Sequence, residues 1–345
     1  MKIGVLTGGG DCPGLNPAIR AVVQRAVSLG DEVVGILNGW AGLIEVQSRP
    51  LTAADVADIL NVGGTMLGTS RTNPANQAKF PNGLQTVKGN IEKLGLDALI
   101  AIGGDDTLGV ANKLYQLGVK TVGISKTMDN DINGADYCIG FETAVEIVTE
   151  ALDRLHTTAR SHGRVMVCEV MGREAGWVAT MGGLAGSADY IIIPEVPTSM
   201  EKITTHLKQR RASGKGYSIV VVGEAATIEG MSALEVKTRD AFGHERLDKR
   251  GLGEALAEEI EQQTGFETRA TVLGHIQRGG SPSAFDRVLG TRLGVTAVDL
   301  VHQGNFGKLP VLHNGHITIM ELAEAVAKNQ KVDMDLYHTA EVFFT

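Results

Sequence analysis

The chain has 345 residues, 43% of them hydrophobic, too many for one small core and enough for two lobes. Its formal charge of −8 excludes a general nucleic-acid binder, so an anionic ligand must be held by local arginines. Cys12, Cys138 and Cys168 show neither metal spacing nor an even count, which predicts a reduced, cytoplasmic setting.

The chain opens on an expected strand, Lys2–Thr7, so no signal peptide is expected. No apolar run approaches transmembrane length, so no membrane partner is expected. Gly8-Gly9-Gly10-Asp11-Cys12-Pro13-Gly14 follows, then a helix from about Asn16 with apolar residues at Ile19, Val22, Val23 and Ala26. Such a loop presents backbone N–H groups at a helix start, where a phosphate can sit, although glycine punctuation alone looks the same. The glycine spacing is not the dinucleotide fingerprint. No GxxxxGK[ST] occurs, which excludes a P-loop kinase.

Glu32–Leu37 reads as a second strand. The glycine-rich stretch Gly63–Arg71 ends in an arginine that suits a phosphoryl clamp or a solvated surface equally. A helix at Gln85–Leu94 leads to a strand at Ala98–Ile102 and then to Gly103-Gly104-Asp105-Asp106-Thr107. The apolar run Val119–Ile124 delivers Lys126-Thr127-Met128-Asp129-Asn130-Asp131. Open α/β sheets bind ligands at the carboxyl ends of their strands. Two such loops, with four carboxylates and a lysine, suit a magnesium–polyphosphate site.

Phe141–His162 is a long helical pattern that carries the chain into a second lobe. There Val165–Val170 precedes Met171-Gly172-Arg173, and the buried strands Tyr190–Ile193 and Ile219–Val222 follow, the latter ending at Gly223-Glu224. The polar segment Thr227–Arg250 reads as a mobile insertion or surface hairpin. Leu252–Gln263 is a helix and Thr268–Leu273 a strand leading into Gly274-His275-Ile276-Gln277-Arg278. Ser281 and Pro282 look like the cap and first turn of a helix reaching about Val301. Strands alternating with helices predict an α/β fold with mainly parallel sheets covered on both faces.

From Lys2 to about Val301 the chain resembles a bacterial phosphofructokinase. The motifs that carry the resemblance are Leu6–Asn16, Gly103–Thr107, Lys126–Asp131, Val170–Arg173 and Leu273–Gly280. It implies two Rossmann-like α/β/α lobes with the active site between them. Residues 1–139 plus about 281–320 would serve the phosphate donor and magnesium; residues 140–280 plus about 321–345 would serve fructose 6-phosphate. Asp129 matches the family's general base, a role worth about 10²–10⁴-fold. Asp105 and Asp131 match the acids of the Mg2+ site. Lys126, Thr127 and Arg173 would support the transferred phosphoryl group, Thr127 and Arg173 also the sugar end, while Gly10, Arg71, Asp106 and Lys126 line the donor. Met171, Gly172, Glu224, His275 and Arg278 match sugar-phosphate contacts. Arg164 and Arg269 match arginines that reach the 6-phosphate from a neighbouring subunit, which implies a homodimer or homotetramer. A dianionic phosphate does need several forked, permanently charged donors.

The resemblance also addresses the donor. ATP-using members carry glycine where Asp106 and Lys126 stand. A carboxylate at 106 fills the space of a nucleotide's α-phosphate and ribose and repels the phosphate by about 1–4 kcal/mol at ~4 Å. Lys126 supplies a compact cation suited to free pyrophosphate, and this Asp/Lys pair is the signature of pyrophosphate-dependent members. The expected reaction converts pyrophosphate and fructose 6-phosphate to fructose 1,6-bisphosphate and phosphate. The alternatives are the ATP-dependent enzyme and a non-catalytic sugar-phosphate-binding paralogue. Retention of Asp105, Asp129 and Asp131 disfavours the latter. A lipid or NAD kinase with a Gly-Gly-Asp turn would leave Arg164, Arg269 and His275 without a role.

Overall fold

Alternation of apolar side chains organises the first sheet. Ile3 and Val5 of strand β1 (Lys2–Thr7) enter one core cluster while Leu6 enters another. In β4 (Ala98–Gly103), buried throughout, Ala98, Ile100 and Ile102 join the first cluster and Leu99 and Ala101 the second. A strand with two apolar faces must be covered on both. The computed structural model describes residues 1–231, 239–244, 247 and 250–344. They group into two units, 1–143 with 239–244 and 278–330, and the described parts of 144–238, 245–277 and 331–345.

The first unit begins with β1, α1 (Leu15–Ser28), β2 (Glu32–Ile36), α2 (Trp40–Glu45) and β3 (Ser48–Leu51). It continues through α3 (Gly83–Lys93), β4, α4 (Asp105–Gln116) and β5 (Thr121–Ser125). The chain then runs through α5 (Phe141–His162), β6 (Val165–Val170), α6 (Trp177–Ala185), β7 (Tyr190–Ile192) and β8 (Thr198–Ser199). Next come α7 (Met200–Ala212), β9 (Ser218–Gly223), β10 (Ile228–Glu229), α8 (Leu252–Thr264) and β11 (Thr268–Val272). It returns to the first unit with α9 (Ala284–His302), β12 (Lys308–His313), β13 (His316–Glu321) and α10 (Leu322–Ala325), and ends with α11 (Met334–Glu341).

The first sheet has the order β13-β12-β5-β4-β1-β2-β3. Its inner pairs are parallel, and β3 and β13 are added antiparallel at the two edges. From β1 the chain moves to one side, through β2 and β3, and restarts at β4 on the other side. Order therefore reverses between β1 and β4, where an α/β sheet opens a crevice at its carboxyl edge. Register makes that edge level: Thr7 lies opposite Ile102, and Gly103 opposite Ser125. The second unit carries a four-stranded parallel sheet, β11-β6-β9-β7, and a two-stranded parallel ribbon of β10 and β8. Its core joins Val165 and Val167 of β6, Val220 and Val222 of β9, Ile203 and Leu207 of α7, and Leu256 and Ile260 of α8.

The expected α/β class and parallel sheets hold. Three details differ from the sequence reading. Helix α9 is capped by Ser283, whose Oγ accepts from Asp286 N at 3.1 Å, whereas Ser281 Oγ donates to the Asn61 carbonyl. Residues 321–330 lie with the first unit, because β13 pairs along β12 and Gln330 N donates to the Asp131 carbonyl at 2.8 Å. Part of the Thr227–Arg250 reading falls on 232–238, 245–246 and 248–249, outside the described residues.

Helices α1 and α9 approach closely because α9 presents glycine twice on one face. A β-carbon at Gly294 would lie 2.7 Å from the Ala18 carbonyl oxygen, and one at Gly290 3.0 Å from that of Gly14. Both obstacles are backbone, so neither can swing aside. Alanine in place of glycine within a helix usually gains about 1 kcal/mol. Here overpacking, about 1–3 kcal/mol or more, outweighs that gain. Gly294→Ala is therefore expected to lower the thermal unfolding midpoint by a few degrees, read by calorimetry; an unchanged or higher midpoint would show that the helices separate freely.

Candidate active site

Three loops leave the level edge of the first sheet. Gly8 N donates to the Ile102 carbonyl at 2.9 Å and Gly9 N to Ser70 at 3.2 Å; Thr69 Oγ1 donates to the Gly9 carbonyl at 2.7 Å. The loop bearing Arg71 is thereby tied to the one after β1. Gly8 and Gly103 both face Thr107, leaving no room for a β-carbon at either position. At Gly10 a β-carbon would coincide with the Arg278 guanidinium, so this glycine is what lets the arginine lie across the loop. Arg278, expected among the sugar contacts, thus sits in the first unit beside Gly10.

Lys126 is only 4% exposed. Its backbone N–H extends the sheet to the Gly103 carbonyl at 3.0 Å, and its ammonium donates to the Gly10 carbonyl. A buried ammonium requires such partners. Thr127 and Asp129 form a closed pair: Asp129 N donates to Thr127 Oγ1 at 3.1 Å, and that hydroxyl donates to Asp129 Oδ2 at 3.2 Å. The threonine fixes one oxygen of a carboxylate that is 5% exposed. Between the two aspartates, Asn130 takes the left-handed conformation, φ 53°, which asparagine tolerates better than most residues. Its fully buried side chain accepts from Cys138 N at 2.8 Å and donates to the Asp136 carbonyl at 3.0 Å. Asp131, also buried, accepts from Asn329 Nδ2 at 3.1 Å.

Asp105 and Asp106 open α4 after the Gly104 cap, where the helix's positive end favours carboxylates. Together with His244 they place ligand atoms within 4.8 Å of one another, the one group of this kind among the described residues. His244 Nε2 lies 3.0 Å from Asp106 Oδ1. Asp131 is not part of that group. Arg71 Nη1 stands 3.8 Å from Asp240 Oδ2.

Cys12 lies within the first glycine loop, yet burial pushes its thiol up to about 12, and its Sγ donates to the Ile139 carbonyl at 3.3 Å. It is no nucleophile at neutral pH. Cys138 and Cys168 are likewise raised by burial.

In the second unit the loop after β6 is held by its backbone. Met171 N donates to Gln277 Oε1 at 2.9 Å, and Gly172 N and Arg173 N donate to Glu224 Oε1 at 3.2 and 3.0 Å. Arg173 has φ 51°, a conformation unusual for arginine that the Glu224 carboxylate holds in place. Gly176 N donates to Glu195 Oε1 at 2.9 Å, and Lys331 Nζ to the Glu174 carbonyl at 2.6 Å. His275 is exposed on a short 3-10 helix, Gly274–Arg278.

Arg164 and Arg269 lie elsewhere. They share Glu267, at 2.7 Å each, and Arg269 also meets Glu261 at 3.2 Å. The Glu267 carboxylate raises the Arg164 guanidinium above its ordinary value and is itself lowered by it. Arg164 precedes β6 and Met171 follows it. Seven residues of strand put about 23 Å between them, so this pair does not join the loop after β6 within its own chain.

A phosphofructokinase family model matches residues 2–301. A Streptomyces coelicolor protein named pyrophosphate–fructose 6-phosphate 1-phosphotransferase is 51% identical, covering all of both chains. A second protein of that organism, named ATP-dependent 6-phosphofructokinase 3, is 46% identical over 99% of each. The crystal structure of Pichia pastoris phosphofructokinase in the T-state superimposes with a TM-score of 0.82 at 31% identity. It covers 99% of this chain, which spans 39% of that one. The chain belongs to the phosphofructokinase family.

Sequence reasoning gave Asn130 and Gln277 no role, although both lie within the motifs it used. Asn130→Ala would leave two buried partners unsatisfied, at about 1–3 kcal/mol each, and burden a left-handed position. The variant is expected to lose about 2–4 kcal/mol of stability and to turn over at least tenfold more slowly, measured by denaturant titration and by steady-state assay. Wild-type turnover in a destabilised variant would show that the loop's catalytic geometry does not depend on Asn130.

Proposed function

We propose that this chain transfers a phosphoryl group from pyrophosphate to the 1-hydroxyl of fructose 6-phosphate, giving fructose 1,6-bisphosphate and phosphate. The two named relatives differ in donor at 51% and 46% identity, so donor choice rests on residues. The observation that carries it is the pairing of Lys126 and Asp106 on adjacent strand-end loops. Lys126 holds a buried ammonium against the Gly10 carbonyl, and Asp106 stands in the first turn of α4. A compact cation suits a small polyphosphate, whereas a carboxylate opposes a nucleotide's α-phosphate.

In this reading Gly10, Arg71 and Lys126 hold the donor, and Asp129 takes the acceptor hydroxyl's proton as its oxygen attacks phosphorus. The Thr127 hydroxyl, directed by Asp129 N, orients the carboxylate for that step. Lys126 and Arg173 balance charge on the transferring group, and the displacement runs in line with no covalent enzyme intermediate. Met171, Gly172, Glu224, His275 and Arg278 are the acceptor's contacts. The oxygen donors of Asp105 and Asp106, within 4.8 Å of each other, suit a hard divalent cation. Asp105 would hold magnesium, with Asp131 as the family's second acid. Bound there, magnesium supplies charge neutralisation on the donor oxygens.

Side-by-side kinetics test the donor. With magnesium and fructose 6-phosphate present, kcat/KM for pyrophosphate should exceed that for ATP by roughly five- to a thousandfold, the span of 1–4 kcal/mol. Equal or better efficiency with ATP would overturn the reading in favour of the nucleotide enzyme.

We also assign the functional unit to a homo-oligomer. The motivating fact is that Arg164 and Arg269 stand a strand's length from Met171–Arg173 in their own chain, paired to Glu267. As donors to a neighbour's 6-phosphate they would each contribute about 1.5–3 kcal/mol. A variant carrying Arg164→Ala and Arg269→Ala, mixed with Asp129→Ala under verified subunit exchange, should regain part of the activity that each lacks alone. No recovery after exchange would place the arginines' action within their own chain.

A further inference from the structure

The short segment 239–244 belongs to the first unit and touches two residues of the proposed donor site at once. Its turn is closed by its own backbone: Asp240 N donates to the His244 carbonyl at 2.9 Å and Gly243 N to the Asp240 carbonyl at 3.1 Å. Asp240 Oδ1 accepts from Phe242 N at 2.9 Å and from His244 N at 3.1 Å. Phe242 packs against the core cluster that contains Leu6 and Leu108. The turn is therefore built, and one carboxylate oxygen is spent on building it.

The second oxygen faces outward from that construction. Asp240 Oδ2 lies 3.8 Å from Arg71 Nη1, and the acid's side chain is 8% exposed against 44% for the arginine. A carboxylate offers a guanidinium the same geometry that a phosphate does. Arg71 is thus held loosely by an internal anion, and it can transfer to a more highly charged one. Two residues past Phe242, His244 Nε2 meets Asp106 Oδ1 at 3.0 Å. A bare carboxylate at 106 opposes pyrophosphate as well as nucleotide, and a hydrogen bond to the imidazole engages one of its oxygens.

We propose that the Asp240–His244 turn sets donor affinity from both sides: Asp240 holds Arg71 in competition with the donor's phosphate, and His244, hydrogen-bonded to Asp106, keeps one of that carboxylate's oxygens engaged and away from the donor. This rests on the donor reading above. The two side chains then act in opposite directions, which separates their role from general support of the fold.

Asp240→Asn keeps an oxygen for the Phe242 and His244 N–H groups, so the turn persists while the internal anion is lost. The KM for pyrophosphate should fall by about threefold, the scale of a loose, half-exposed ion pair. His244→Ala removes a hydrogen bond that engages Asp106, and the same KM should rise by about fivefold. The KM for fructose 6-phosphate should stay within about twofold in both. Calorimetric titration with pyrophosphate, without the sugar, should give the same opposite shifts in Kd. Wild-type turnover is measured first. None with pyrophosphate would overturn the donor reading and this proposal with it. Normal wild-type turnover with donor KM unmoved in both variants, moved in one direction, or moved in step with the sugar's KM would overturn the turn's role alone.

Discussion

The parallel register of β1, β4 and β5 is the constraint on which the first unit's chemistry depends. Thr7 opposite Ile102 and Gly103 opposite Ser125 end three strands at one level. Their successors, Gly8–Gly10, Asp105–Asp106 and Lys126–Asp129, must then share an edge. A slip of one residue in a pleated strand exchanges its two faces. In β4 that would turn Leu99 and Ala101 into the cluster of Ile100 and Ile102 and misplace the acids that follow. The glycines are the local price of this crowding: at Gly8, Gly10 and Gly103 a neighbouring side chain already occupies the β-carbon's place.

The second unit solves its positioning differently. The Met171–Gly176 loop is immobilised through backbone groups by Glu224, Gln277, Glu195 and Lys331. Arg173 is thereby presented from a left-handed backbone position that few residues adopt unassisted. Glu224 is a scaffold in this sense, its Oε1 accepting from both the Gly172 and Arg173 amides.

Most of the regular elements were legible because their faces are unambiguous. α5 and β6 begin and end where the pattern said, and β1, β4 and β9 read as continuous apolar runs because both sides are covered. The two-residue turn Asn314-Gly315, φ 49° and 75°, was equally legible as a hairpin signal between β12 and β13 but lay beyond the family motifs. The helix cap was displaced because Ser281 and Ser283 offer the same hydroxyl, and only the packing decides which meets Asp286 N. The site was less legible than its motifs suggest. Nothing in sequence brings Asp240 to Arg71 or His244 to Asp106, contacts made across 169 and 138 positions of chain.

The first unit's discontinuity has a consequence for how the chain is made. Helix α1 spans residues 15–28, but its partner α9 begins only at Ala284 and the Gln330 that braces Asp131 comes later still. At about 5–20 residues per second, synthesis leaves roughly 13–50 s between the two helices. During that interval the buried face of α1, with Ile19, Val22 and Val23, has no covering helix. The nascent chain must carry an unfinished apolar surface while the entire second unit emerges, so its exposure to aggregation or to a holding chaperone is written into the order of its elements.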